Sequence, residues 1–351
     1  NSRDISSISA LKSQLGISLT SQEKYKEALL RYQDSDNDGF IIKSKEMKRC
    51  CALGKQVADI DSGVLIMGDT GVGKTFLAKY IHKQSQRRSE PFITIDCATI
   101  PKDLLESEVF GYAKGAFTGA NSKGKQGLAE LANHGTLFLD EIGEIPCQMQ
   151  AKMLRLVQDH TFIPIGGVKE VTVDIKLIAA TNQNLWELVE KGKFRKDLYY
   201  RLDTIKIEIP PLSQRREDIT ALVDYFLKSF CKKYKKEISF SEQAMEALLH
   251  YSWPGNVREL EHIIERLVII NKKPLIDFLD LPKEIILMPQ QGKAIGNMPL
   301  KKLHILTKEE EKQEIIYKYM VLRSTYKVAE ALGISQSKVS RIIKQHRDEQ
   351  K

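Results

Sequence analysis

Cysteine is scarce in this sequence of 351 residues, which holds five cysteines and no C-x-x-C pair. An odd set without that spacing argues against a disulfide framework and against a zinc site, and it fits a reducing cytoplasm. No apolar run approaches the ~18 residues that a membrane-spanning helix needs, and no signal peptide opens the chain. We therefore expect a cytoplasmic protein that has no membrane partner.

Basic residues are in excess, with 54 Lys and Arg against 46 Asp and Glu, which gives a net charge of +8. This excess permits a polyanionic partner without requiring one, since many basic surfaces only face water. Hydrophobic residues make up 42% of the chain, which is enough for an ordinary core. At about 100–200 residues per domain the length predicts two or three domains. The first residue is Asn1 rather than Met, which indicates a piece of a longer protein.

Short apolar runs alternate with helical stretches between residues 39 and 212. The strand candidates are residues 64–67, 92–95, 136–139 and 175–180. The first, third and fourth of these runs are almost wholly apolar, as in a parallel sheet that is buried on both faces. The alternation therefore predicts an α/β domain with a parallel sheet.

The rest of the chain divides by composition into four segments. Residues 213–282 lose the strand signal and predict a helical subdomain, whereas Pro, Gly and Gln in residues 283–306 are typical of a linker. Residues 307–351 are helical and basic. Residues 1–38 predict a helix at the end of a missing sensor domain. Two interpretations of that helix stay open: a short signalling coiled coil, or an amphipathic helix that packs on the main domain.

One glycine-rich run follows the first strand candidate, opens a helix and matches the phosphate-loop pattern G-x-x-x-x-G-K-[ST] in full. Its glycines let backbone N–H groups face phosphates, its lysine supplies a positive charge to the β- and γ-phosphates, and its threonine hydroxyl can bind Mg²⁺. The sequence thus predicts binding of ATP and Mg²⁺. The predicted nucleotide-binding residues are Gly68, Asp69, Thr70, Gly71, Val72, Gly73, Lys74 and Thr75.

Polar residues follow two of the other strand candidates. Asp140 and Glu141 come directly after the run at 136–139, and Asn182 comes after the run at 175–180. Because parallel strands end at one edge of the sheet, we expect these side chains beside the phosphate loop. Asp140 is the candidate Mg²⁺ ligand, Glu141 the candidate base that activates water, and Asn182 a candidate contact to that water or to the γ-phosphate.

The run Gly-Ala-Phe-Thr-Gly-Ala at residues 115–120, together with the phosphate loop and Asp140, resembles the AAA+ domain of sigma-54-dependent transcriptional activators. The resemblance extends over about residues 40–282. It implies an AAA+ P-loop fold with a helical lid, ATPase activity and a surface loop that engages sigma-54. Within that loop, it implies that Phe117 and Thr118 are the contacting pair.

Two further segments resemble motifs of the same family. Residues 194–202 are similar to its arginine-finger segment, which implies that Arg195 and Arg201 reach the nucleotide of a neighbouring subunit. Residues 253–260 resemble the sensor II motif, which implies that Arg258 points from the lid at the phosphates and that Asn256 caps the helix that follows. One departure is Asp96, which stands where the family usually has Asn, and we expect it to repel the carboxylate of Glu141.

The last 45 residues have a helix-turn-helix pattern. Ala329, Leu332, Ile334, Val339 and Ile342 have core spacing, a glycine permits the turn, and a serine can cap the second helix. The second helix would enter the major groove of double-stranded DNA, with its start at the base edges and its later basic residues at phosphates. The predicted DNA-binding residues are Gln336, Ser337, Lys338, Ser340, Arg341 and Lys344.

This C-terminal segment is similar to the TyrR or Fis-like DNA-binding domains of the family, which bind as dimers to paired half-sites. The resemblance as a whole implies a cytoplasmic bacterial activator that binds enhancer DNA and remodels the sigma-54 RNA polymerase holoenzyme. It also implies self-association into a ring, a hexamer, with a dimer as the resting state. Two alternatives stay open at this stage: another AAA+ remodelling machine, and a DNA-binding repressor that uses ATP only to assemble.

Overall fold

The computed structural model describes residues 41–116, 124–286, 312, 315–316, 318–319, 323–332 and 334–348. The predicted N-terminal helix, Phe117, Thr118 and most of the predicted linker lie outside the described residues. The strands are β1 (Val64–Met67), β2 (Phe92–Asp96), β3 (Gly111–Tyr112), β4 (Lys125–Gln126), β5 (Thr136–Asp140), β6 (Thr161–Phe162), β7 (Val171–Thr172), β8 (Lys176–Thr181), β9 (Ile205–Glu208), β10 (Ser239–Phe240) and β11 (Leu275–Ile276).

The α-helices of the described residues are numbered in the same way. They are α1 (Lys45–Gln56), α2 (Lys74–Gln84), α3 (Lys102–Phe110), α4 (Leu128–Leu131), α5 (Cys147–Asp159), α6 (Leu185–Glu190), α7 (Lys196–Leu202), α8 (Arg216–Tyr234), α9 (Glu242–His250), α10 (Asn256–Ile270), α11 (Lys283–Ile286), α12 (Thr325–Leu332) and α13 (Gln336–Asp348). None of these helices is long and apolar enough to cross a membrane.

A five-stranded parallel sheet organises the first of two compact units, which comprises the described residues up to 225 together with residues 253–260. Its strand order is β2-β5-β8-β1-β9, with Asp96 opposite Asp140 and Met67 opposite both Thr181 and Glu208. The predicted α/β class and all four strand candidates are confirmed, although the fourth strand begins and ends one residue later than expected. The edge strand β9 was not among the strands predicted from the apolar runs.

Both faces of the sheet are buried, as the apolar runs predicted. Side chains of β1 alternate between two core clusters, with Leu65 in one and Val64 and Ile66 in the other. The same alternation places Leu137 in the first cluster and Phe138 in the second. Helices therefore cover each face, which is why the loops that carry the polar chemistry gather at the strand ends.

The second compact unit comprises residues 226–252 and the described residues after 260. It contains the short parallel pair of β10 and β11, and on α8 Phe226 stacks on Phe230 at 6.2 Å between ring centroids. The Nζ of Lys236 donates to the carbonyls of Val268, Ile269 and Asn271. A cation on the last carbonyls of a helix stabilises its C-terminus, which accounts for the end of α10.

A helix pair, α12 and α13, forms near the end of the chain around its own apolar cluster. Val328, Leu332, Val339 and Ile343 are buried in this cluster, and the predicted core residues Ile334 and Ile342 pack against it. The N–H of Lys338 donates to Ser335 Oγ at 3.4 Å and to Ser335 O at 3.0 Å, so the predicted serine cap is present. The predicted helical pair is thus observed here.

One titratable side chain in the sheet core gives the fold a measurable pH dependence. His82 on α2 is 7% exposed, and its Nδ1 lies 2.9 Å from the Oγ1 of Thr136. Burial lowers the pKa of His82 from 6.5 to about 4, and the charge of Lys83 adds to this effect. The folded protein therefore keeps a neutral ring at pH values where the unfolded chain binds a proton.

We expect His82 to contribute stability that is present above pH 6.5 and is lost as the pH falls towards 4, since its folded pKa lies below the unfolded one. Between pH 7 and pH 5 this amounts to about 2 kcal/mol in the free energy of unfolding. Urea unfolding of the wild type and of His82→Gln at the two pH values measures it. Between pH 7 and pH 5 the free energy of unfolding of the variant should fall by about 2 kcal/mol less than that of the wild type. Equal decreases in the two proteins would contradict a lowered pKa of His82.

Candidate active site

The phosphate loop lies at the carboxyl edge of the sheet, between the end of β1 and the start of α2. Gly71 and Gly73 have φ values of +79° and +104°, in the left-handed region that favours glycine. Gly73 is the N-cap of α2, so the loop leads directly into a helix N-terminus. Backbone N–H groups at such a place bind anions, and the helix dipole favours negative charge there.

Lys74 is held inside the site rather than in solvent. Its side chain is 6% exposed, and its Nζ donates to the carbonyl of Gly68 at 3.1 Å. The same Nζ lies 3.1 Å from Oε1 of Glu141, whose side chain is 19% exposed. The predicted phosphate-binding cation and the predicted base are thus ion-paired across the edge of the sheet.

Asp140 and Glu141 stand at the end of β5, where the sequence analysis expected them. The Oγ1 of Thr75 donates to Oδ2 of Asp140 at 3.2 Å, which joins the two predicted Mg²⁺ ligands. Burial raises the pKa of Asp140, and the negative charge of Glu141 raises it further, while Lys74 and Thr75 oppose the shift. Glu141 itself has a left-handed backbone, with φ of +51°. Such a conformation costs a non-glycine residue free energy and is often found at functional sites.

Asn182 connects the neighbouring strand end to both parts of the site. Its backbone N–H donates to Oε2 of Glu141 at 3.0 Å, and its Nδ2 donates to Oγ1 of Thr70 at 3.0 Å. The ends of β1, β5 and β8 are therefore joined by side-chain contacts. This agrees with the expected position of Asn182 next to the base and the phosphate loop.

The turn at the start of α10 forms hydrogen bonds with the tip of the phosphate loop, and both belong to the same compact unit. Asn256 is 1% exposed; its Nδ2 donates to the carbonyl of Thr70 at 3.1 Å, and its Oδ1 accepts the N–H of Leu212 at 2.7 Å. The N–H of Val257 donates to the carbonyl of Gly71 at 3.0 Å. The expected role of Asn256 as a helix cap is therefore wrong, because its side chain is used by the phosphate loop and Leu212.

Arg258 lies next to the phosphate loop, as expected from its motif. A Cβ built on Gly71 would lie 3.2 Å from the Cβ of Arg258. The arginine is exposed, and its backbone belongs to the first turn of α10. The Cβ of Arg258 is thus fixed beside the loop, while the residue as a whole is exposed to solvent.

Arg195 and Arg201 are not part of this cluster. Arg201 lines a groove together with Ser62 and Gly63, which precede β1, and with Lys176, which begins β8. That groove lies at the amino edge of the sheet, opposite the phosphate loop. Arg195 is exposed and forms a two-point ion pair with Asp197, at 3.0 Å and 2.7 Å.

Asp96 ends the strand next to the one that carries Asp140. It pairs in register with Asp140, and its Oδ1 accepts the N–H groups of Ala98 at 3.0 Å and Thr99 at 3.2 Å. Its Oδ2 accepts the hydroxyl of Thr99. The carboxylate is therefore hydrogen-bonded within its own loop, and its expected repulsion of Glu141 stays a prediction.

The donor set fits a nucleotide phosphate chain with Mg²⁺. The glycine cradle, the buried cation of Lys74 and the helix N-terminus suit phosphate oxygens. Thr75 and Asp140 supply oxygen ligands, and Mg²⁺ commonly takes only one or two carboxylates and keeps water or phosphate oxygens for the rest. Within the described residues no cluster of three or more His, Cys, Asp or Glu forms a transition-metal site.

Comparison with known proteins agrees with this geometry. The family described as Sigma-54 interaction domain matches residues 40–208, and the AAA+ ATPase lid domain matches residues 213–296. The chain belongs to the sigma-54 interaction domain family. Its fold is an AAA+ α/β domain followed by a lid, which confirms the expected fold class and the expected family. The second of these matches ends at residue 296, before α12 and α13.

Individual relatives support the same assignment. The chain is 49% identical over 242 residues to an uncharacterized protein in the HyuA 5' region of Pseudomonas sp. (strain NS671), covering 69% of this chain and 82% of that protein. It is 47% identical over 247 residues to the regulatory protein AtoC of Escherichia coli (strain K12), covering 70% of this chain and 53% of AtoC. The chain thus spans about half the length of AtoC.

A solved structure of NtrX from Brucella abortus in complex with ADP superimposes with a TM-score of 0.67 at 31% sequence identity. The match covers 96% of this chain and 74% of that one. The structure of NtrX in complex with ATP gives a TM-score of 0.65. NtrX has therefore been solved in complex with either nucleotide.

The close approach of Gly71 to the following turn leads to a prediction. A Cβ on Gly71 would lie 2.4 Å from the carbonyl oxygen of Gly255, at a φ of +79°. We expect Gly71→Ala to weaken binding of a fluorescent ADP by tenfold or more. The loop tip must then move away from Asn256 and Val257, which donate hydrogen bonds to its carbonyls. Gly192→Ala is the matched control, since Gly192 has a φ of +68° and nothing within 4 Å of its Cβ position. Equal ADP affinity in the two variants would contradict the steric argument.

Proposed function

We propose that this chain is an ATPase whose site is the cluster at the carboxyl edge of the sheet. The observation that carries the proposal is the ion pair of Lys74 with Glu141, at 3.1 Å, beside the hydrogen bond of Thr75 with Asp140. Phosphoryl transfer to water requires a cation, a carboxylate base and oxygen ligands for a metal ion. All three lie within one loop and one strand end here, and the hydroxyl and carboxylate pair supplies the oxygen ligands. Its AAA+ family membership supports ATP as the substrate.

Each residue has a physical task in this reaction. Lys74 binds the β- and γ-phosphate oxygens. The negative charge of these oxygens then replaces that of Glu141 beside the Nζ of Lys74. Glu141, released from that ion pair but still held by the N–H of Asn182, accepts the proton of the attacking water. Thr75 and Asp140 are the residues that would hold Mg²⁺, which would neutralise part of the phosphate charge when bound. Arg258 contributes positive charge from the start of α10.

Arg195 and Arg201 act on a different copy of the chain. Because Arg201 lies at the amino edge of the sheet, we infer that it serves the nucleotide of a neighbouring protomer, and Arg195 joins it after leaving Asp197. A guanidinium from a partner stabilises negative charge in the transition state, so hydrolysis then depends on assembly. A ring, a hexamer built from resting dimers, satisfies this arrangement.

Hydrolysis is coupled to transcription through sigma-54 in our proposal. Family membership and relatives such as AtoC and a putative uric acid sigma-54-dependent transcriptional regulator, UacR, support this. Phe117 and Thr118 would contact sigma-54 in the polymerase holoenzyme and convert the closed promoter complex to the open one. A general AAA+ remodelling machine and a non-catalytic repressor are the competing functions, and neither accounts for the 115–120 run together with an intact Lys74 and Glu141.

The C-terminal helix pair is the proposed binding site for enhancer DNA, one pair from each copy of a dimer. The exposed face of α13 carries Gln336, Ser337, Ser340, Arg341 and Lys344, and Lys338 is half-buried beside it. Residues 1–38, 39–212, 213–282, 283–306 and 307–351 remain our proposed domains, with α11 at the start of the proposed linker.

Open-complex formation with sigma-54 polymerase tests the whole function. We expect it to need hydrolysable ATP, and a DNA-binding repressor would show no such need.

Glu141→Gln should bind ATP but release phosphate about 10²–10⁴-fold more slowly, because the water loses its base. Phe117→Ala should keep ATPase activity and lose open-complex formation. Glu144→Gln, which changes a nearby carboxylate bonded to Gln183, is the control and should behave as the wild type.

A salt titration tests the DNA-binding proposal separately. The plot of log K against log salt has a negative slope. Arg341→Ala should make this slope shallower by about 0.9 for each protomer bound, because one phosphate contact is lost. Lys228→Ala, an exposed lysine on α8, is the control and should leave the slope unchanged. An unchanged slope for Arg341→Ala would contradict the assignment of this face to DNA.

A further inference from the structure

A buried polar cluster lies behind the phosphate loop and is not used by the mechanism above. It consists of Ser44, Arg215, Asp218 and the carbonyl of Val72, and we name it the Arg215–Asp218 bridge. Ser44 and Asp218 are 0% exposed and Arg215 is 4% exposed. A buried ion pair is costly unless its partners are well satisfied, so its contacts show what it holds together.

Asp218 holds the start of the domain. Its Oδ1 accepts the backbone N–H groups of Lys43 at 2.8 Å and Ser44 at 2.7 Å, and its Oδ2 accepts the hydroxyl of Ser44 at 2.7 Å. The Oγ of Ser44 in turn accepts the N–H of Met47 at 3.2 Å and caps α1. Three donors from two adjacent residues on one buried carboxylate fix the path of the chain at this point.

Arg215 connects Asp218 to the phosphate loop. Its Nη2 donates to the carbonyl of Val72 at 2.5 Å, and its Nη1 lies 3.8 Å from Oδ2 of Asp218. The Nε of Arg215 is buried and has no hydrogen-bond partner among the described residues. Among the described residues, the guanidinium therefore has one hydrogen bond to the loop and one ion pair with the carboxylate.

The contact with Val72 bears directly on phosphate binding. The Val72 carbonyl and the Gly73 N–H belong to one peptide unit, and Gly73 is the N-cap of α2 in the phosphate loop. A charged donor on the carbonyl polarises that unit and makes its N–H a stronger donor. The guanidinium also places positive charge behind a loop that is to receive phosphates.

We propose that Arg215 and Asp218 are positioning residues that fix the phosphate loop to the start of the domain, so that residues 43–44 help to set nucleotide affinity. The proposal rests on the proposed ATPase function. If Ser44 moves, Asp218 loses its donors, Arg215 loses its counter-ion, and the Val72 carbonyl loses its charged donor. A change in the chain before α1 thus reaches the phosphate loop through two side chains.

Titration of the full chain with a fluorescent ADP in the presence of Mg²⁺ tests the bridge. Arg215→Met should weaken ADP binding about tenfold, and Ser44→Ala should weaken it less but in the same direction. In ATPase assays the KM for ATP should rise in both variants while kcat changes little, which a general loss of stability below the melting temperature would not produce. Arg216→Met, which alters the exposed neighbour, is the control for Arg215 and should bind as the wild type.

Ser241→Ala is the matched control for Ser44→Ala. Ser241 caps α9 by accepting the N–H of Ala244 at 3.2 Å and donates to Asp277 at 2.7 Å, so this variant loses the same kind of cap elsewhere. It should leave ADP affinity unchanged. If Arg215→Met does not fold, Ser44→Ala against Ser241→Ala decides the question. Wild-type affinity in the folded bridge variants would overturn the bridge alone, whereas a wild type that binds no ADP would overturn the proposed function as well.

Discussion

A loop that turns its backbone N–H groups towards phosphates leaves its carbonyls on the opposite side, where buried oxygens need donors. In this protein the carbonyls of residues 70–72 receive those donors from Asn256, Val257 and Arg215. All three donors come from the part of the chain after the sheet is complete. The shape of the nucleotide site therefore depends on packing behind it as much as on the glycines within it, and this constraint explains the lack of room at Gly71.

The second organising feature is the direction of the sheet. Because every strand is parallel, the ends of β1, β5 and β8 meet at one edge and bring Lys74, Asp140 and Glu141 together. The same geometry places Arg201 beside the beginnings of β1 and β8. With about 3.3 Å per residue, even a four-residue strand separates the two edges by about 10 Å. One copy of the chain thus holds complementary halves of the proposed site at opposite edges.

The sequence predicted well where function depends on neighbours along the chain. The phosphate loop, Asp140 and Glu141 are each local motifs at the end of an apolar strand, and the apolar runs located four of the five strands of the sheet. It predicted poorly where distant segments meet. Asn256 follows Pro-Gly and looked like a helix cap, but its left-handed backbone, with φ of +53°, directs the side chain to the phosphate loop. Arg215 stands in a run of charges that looks exposed, and Ser44, the hydrogen-bond partner of Asp218, is more than 170 residues away from Asp218 along the chain.

The placement of Arg201 at one edge and of the Lys74 cluster at the other gives an assembly a polarity. Contacts that join unlike edges are heterologous and can close only as a ring or extend as a filament. In a mixed assembly, a copy without its arginine would therefore silence the site next to it and keep its own. A copy without its lysine would lose its own site and still serve its neighbour, so two inactive proteins of these kinds could complement each other.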